Sequence, residues 1–75
     1  MSHEDEDKID RIGHALNANN VALKYLTELG IVVFNYEVTS IFKSNLAWFI
    51  TIEGDTFNGV VVIKSKTGEL THIKF

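Results

Sequence analysis

The sequence predicts an α+β two-layer sandwich: an N-terminal helix, continuous or else kinked or split near Asn17-Asn20, packed on a four-stranded antiparallel meander. Three observations carry that expectation. Apolar residues recur at helical spacing up to Gly30, the apolar period then falls from 3.6 to 2, and the later apolar runs are separated by turn-length gaps. A change of period marks a change from helix to strand, and short connections give antiparallel neighbours.

Asp7 suits a helix N-cap, and the carboxylates around it suit the positive end of the helix dipole. Ile9, Ile12, Leu16, Leu23 and Leu26 then fall on one helical face, and Gly30 reads as the residue just past the helix end. Asn17, Asn19 and Asn20 are poor helix formers in the middle of this span, and Asn19 lies on the apolar stripe itself. Either one helix runs through with a local bend, or a first helix stops near Asn17 and a second starts at Asn20. The register of Ile9, Leu16 and Leu23 across the cluster favours one helix. A coiled-coil seam with Asn19 fixing register is outweighed by the broad face added by Ala22, Tyr25 and Leu29, which suits packing on a sheet.

Val32, Phe34, Tyr36 and Val38 alternate with polar or smaller residues and predict a first strand whose core face carries those four. The turn that follows lies within Ser40 to Asn45, centred on Lys43-Ser44-Asn45, with Ile41 and Phe42 either in the turn or extending the strand. The second strand, Leu46 to Glu53, places Leu46, Trp48, Ile50 and Ile52 on one face and Ala47, Phe49, Thr51 and Glu53 on the other. Gly54-Asp55-Thr56 connects it to a third strand from Phe57 to Ser65, with Asn58-Gly59 as a competing turn. Lys66-Thr67-Gly68 closes a hairpin to a last strand from Glu69 to about Ile73.

At 75 residues this is one domain, with residues 1–7 expected as an acidic disordered tail and 8–75 as the folded unit. A chain this short buries only about 60% of its unfolded surface, and with no cysteine it has neither a disulfide nor a thiolate metal site to stabilise it. Its longest apolar runs fall short of the roughly 18 residues a membrane helix needs, and Met1 to Asp10 is acidic where a secretory signal would be basic. A soluble, cytoplasmic protein with no membrane partner is expected. The net charge of −3 is uneven, because residues 1–10 set Glu4, Asp5, Glu6, Asp7 and Asp10 against Lys8 alone. The remainder has no basic stripe of the kind that binds phosphate, so no nucleic-acid partner is expected.

Chemistry-bearing patterns are sparse. His3, His14 and His72 are far apart with no ligand-spaced partner, so neither a metal nor a cofactor is expected. No nucleophile elbow or phosphate loop occurs. The carboxylates outside the tail that could do acid-base work, Glu37, Glu53, Asp55 and Glu69, fall at strand ends and turns, and Trp48 and Tyr36 read as core, so an enzyme is not expected.

The functional lead is the run Val60-Val61-Val62-Ile63, which is apolar on both faces although one helix covers only one. The opposite face is expected to present Val33, Phe49, Thr51 and either Val60 with Val62 or Val61 with Ile63. Such a patch, together with the last strand through Ile73 and Phe75, predicts an interaction surface, with Val33, Phe49, Thr51, Val60, Val62, Ile73 and Phe75 as its residues. A competing reading has the sheet coil until the helix, Tyr25 and Phe75 shield both sides.

The succession of a helix ending in ALKYL, the aromatic strand AWFITIEG and then VVVIKSKTGELTHI resembles a PepSY domain, whose final turn Lys66-Thr67-Gly68-Glu69 matches. The same stretch is similar to a family of small bacterial toxin-immunity proteins. Both resemblances imply a non-enzymatic role, binding and often inhibiting another protein such as a peptidase or toxin. The function expected is therefore a small protein-binding module, an inhibitor or immunity-type factor that acts by surface occupation and forms a homodimer. The alternative is an acidic decoy or phage-type inhibitor, in which Glu4 to Asp7 and Asp10 imitate phosphate charge against a nucleic-acid-processing or defence complex.

Overall fold

The computed structural model describes residues 13–75. The tail, Ile9 and Ile12 lie outside the described residues. Helix α1 (Ala15–Glu28) runs through Asn17, Asn19 and Asn20 without a break, so no split occurs there, but it begins only at Ala15, after an extended His14 (φ −131°, ψ 145°), and a helix continuous from Asp7 does not form. It ends as the sequence requires: Gly30 takes φ 77°, its N–H donates to the Thr27 carbonyl at 3.0 Å, and the Ile31 N–H donates to the Leu26 carbonyl at 2.9 Å. This paired closure satisfies two carbonyls that the helix leaves open, and glycine meets the left-handed position at no steric cost.

Four strands follow, β1 (Glu37–Ser44), β2 (Ala47–Glu53), β3 (Asn58–Lys64) and β4 (Leu70–Lys74), in the spatial order β1-β2-β3-β4 with every pair antiparallel. The helix packs across β1, β2 and β3. Fold class and meander topology are thus as the sequence predicts.

The core lies between α1 and one face of the sheet. Ala18, Ala22 and Leu26 form the buried helical stripe and meet Trp48, Ile50, Ile52, Phe57, Val61 and Ile63. Burying each large aliphatic side chain contributes about 1.5–3 kcal/mol, and the two alanines let the helix axis approach the sheet closely. The Val run divides cleanly, with Val61 and Ile63 toward the helix and Val60 and Val62 on the far face.

Three expectations need correcting. Leu16 is exposed and Asn19 half-buried: of the predicted face Leu26 is buried and Leu23 packs against the core, and Ala18 and Ala22, not Leu16, complete the buried stripe. Residues 31–36 form a loop and not the start of a strand, and Val32, Phe34 and Tyr36 point to solvent while Ile31 and Val33 pack on the core. Asn35, at φ 48°, breaks the alternation before Val38 turns inward. Finally, β1 continues through Ile41 and Phe42, and the hairpin tip is Asn45-Leu46, with Ser44 opposite Ala47. A bulge at Thr39, between the pairs Val38–Ile52 and Ser40–Thr51, puts Ile41 on the core side and Phe42 on the far side.

Candidate functional site: the open face of the sheet

Antiparallel register decides which side chains share the uncovered face. Phe42 is opposite Phe49, Phe49 opposite Val62, and Val62 opposite His72, so these four cross the sheet as one row. The neighbouring row is Ser40, Thr51, Val60 and Lys74. Side chains directly opposite in adjacent strands touch, and the rings of Phe42 and Phe49 stack with centroids 5.0 Å apart and planes within 9°. Phe42 is 52% exposed, Phe49 is half-buried, and Val62, hemmed in by its neighbours, is only 2% exposed.

Of the residues expected at an interface, Phe49, Thr51, Val60 and Val62 therefore come together on this face. Val33 does not: it sits in the loop before β1 and packs against the helix-side core. Ile73 lies opposite Val61, also on the helix side, and packs against that core. Phe75, beyond β4 and largely exposed, sets its ring edge-on to Phe57, with centroids 5.5 Å apart and planes at 76°. Phe42 and His72 complete the open face: the sequence left Phe42 either in the turn or extending β1, and it placed His72 in the last strand without a face. Tyr25 does not screen this face, since its hydroxyl donates to the Gly68 carbonyl at 2.7 Å.

Both sheet edges carry an irregularity. β1 is bulged at Thr39 and β4 at Thr71, between the pairs Val62–His72 and Ile63–Leu70. Bulges twist an edge out of the flat template that a foreign strand would extend.

The remaining candidates disperse. Glu37 and Glu53 are partners across β1 and β2, Asp55 accepts from the Asn35 amide at 3.0 Å, and Glu69 lies in the β3–β4 connection at the other end of the sheet; all four are exposed. Among the described residues no group of three or more His, Asp or Glu could hold a metal ion, and no helix is long and apolar enough to cross a membrane. His14 flanks the helix start and His72 lies on the open face. The acidic run from Glu4 to Asp7, with Asp10, lies outside the described residues.

Comparison of the chain with protein-family models, with curated proteins and with solved structures returns no match.

Proposed function

We propose that this chain is a non-enzymatic protein-binding module of the inhibitor or immunity type, and that its open sheet face pairs with a second copy of itself. The observation that carries the reading is the Phe42–Phe49 stack, a pair of large apolar rings left in water on the face that α1 does not cover.

The face suits its own image. A two-fold axis along the strands, between β2 and β3, would set Phe49 over the Val62 of the other copy and Thr51 over Val60. Lys74 would then meet Ser40, and Glu53 would meet Asn58, so no like charges are opposed. Sheets stacked this way lie about 10 Å apart and keep their strands within about 30° of each other. The blunted edges of β1 and β4 leave stacking as the favoured mode over strand addition.

Magnitude sets the strength. An aromatic side chain offers about 150–250 Å², so the exposed parts of Phe42, Phe49 and Val60 amount to roughly 200 Å² per copy. Two copies at about 25 cal/mol per Å² contribute on the order of 10 kcal/mol, against association costs of about 4–15 kcal/mol. The dimer is accordingly weak, with a dissociation constant in the micromolar range or above.

Sedimentation equilibrium from micromolar to millimolar protein tests this. The wild type should shift from monomer toward dimer, and Phe49→Lys should stay monomeric with an unchanged circular dichroism spectrum. Identical masses for the two proteins at every concentration would overturn the homodimer.

A further inference from the structure

We propose that the loop between α1 and β1 is a second docking surface, and that its occupant is a protein segment carrying lysine or arginine among apolar side chains. It goes beyond the open-face reading and does not depend on it.

The loop presents Val32, Phe34 and Tyr36, which are 65%, 58% and 41% exposed, while Ile31 and Val33 anchor it on the core. An alternating segment with its large side chains on the outside is the reverse of what burial would select. It is also held firmly. The Thr56 hydroxyl donates to the Val32 carbonyl and accepts from the Phe34 N–H. The Asp55 N–H donates to the Phe34 carbonyl at 3.0 Å, and the Asn35 amide donates to the Asp55 carboxylate at 3.0 Å.

Two backbone features admit this strap. Asn35 occupies the left-handed region at φ 48°, which asparagine tolerates better than most residues. Gly54 lies so close beneath that an added Cβ would fall 2.9 Å from the Tyr36 Cβ and 3.0 Å from the Phe34 carbonyl oxygen. A connector needs only to span the gap. Fixing three apolar side chains in place lowers the ordering entropy lost when a partner binds, and aromatic residues held rigid are the usual anchors of protein interfaces.

Charge names the partner. Glu37, Glu53 and Asp55 surround this end of the sheet, and the segments that meet there, residues 31–40 and 51–60, contain no lysine, arginine or histidine. Lys43, Lys64 and Lys66 are gathered at the opposite, hairpin end, and Lys74 is the one lysine among the described residues on a strand that finishes at the acidic end. A cationic segment is attracted to such a surface and an anionic one repelled.

The test is a titration of ¹⁵N-labelled protein with a ten-residue peptide alternating lysine with leucine, set against its glutamate-leucine counterpart. The lysine peptide should shift the amides of residues 32–36 and 53–56 and bind at least tenfold tighter than the glutamate peptide. Phe34→Ala and Glu53→Lys should each weaken it at least tenfold with the remaining spectrum retained, whereas Phe49→Lys should leave it unchanged. Equal binding of the two peptides, shifts centred on Phe49 and Val62, or no shift at about 1 mM peptide, where even a millimolar dissociation constant registers, would each overturn the proposal. Because Phe49→Lys acts on the open face alone, failure here leaves the homodimer standing, and failure of the homodimer leaves this surface standing.

Discussion

Ser65 is fully buried, its N–H donates to the Leu46 carbonyl at 2.8 Å, and its Oγ has no partner. An unsatisfied buried hydroxyl costs about 1–3 kcal/mol of desolvation, while alanine fills nearly the same volume with none of that cost. Ser65→Ala is therefore expected to leave stability unchanged or raise it by about 1 kcal/mol, which for a chain of this size moves the midpoint of thermal unfolding up by about 4–8 °C. Urea unfolding checks the sign. A clear loss of stability would mean that the hydroxyl binds a buried water, and that the turn before β4 depends on it. The tension is local to one atom, and nothing in the sequence signals it, since serine beside a Lys-Thr-Gly turn is ordinary turn composition.

Between α1 and the sheet, spacing is set by Ala18 and Ala22, both fully buried. Ala22→Leu is expected to destabilise by about 1–3 kcal/mol through overpacking, read as a lower urea midpoint with the slope retained. An unchanged midpoint would show that the helix is free to lift from β2. At this scale the sequence was most legible: the helix end at Gly30, the last three strands, both later turns and the faces of β2 follow from period and turn chemistry. It misled where alternation persisted without a strand. Val32, Phe34 and Tyr36 carry the period-2 signature, but the left-handed Asn35 and the bulge at Thr39 each change which side the next residue faces. The consequences reach the candidate surfaces. Phe49, Thr51, Val60 and Val62 were legible together because β2 and β3 pair without a bulge, whereas Val33, Ile73 and Phe42 depend on irregular segments and fell on sides that pattern alone did not give.

Across the described residues, one helix covers one face of the sheet and the other face leaves its aromatic pair partly exposed. The described residues carry five lysines and five carboxylates, yet their placement along the strands leaves one end acidic and the other basic, so a neutral sum conceals a directional field. The two proposed surfaces are the aromatic sheet face, for a second copy, and the apolar loop with its acidic rim, for a cationic partner. The measurement that bears most directly on the uncovered face is the concentration dependence of the backbone amide spectrum of the unmodified protein. Between micromolar and millimolar protein, stacking of the open faces should shift the amides of Phe42, Phe49, Val60, Val62 and His72 progressively, with those of α1 unmoved. A spectrum that does not change with concentration, or changes confined to the outer edges of β1 and β4, would contradict it.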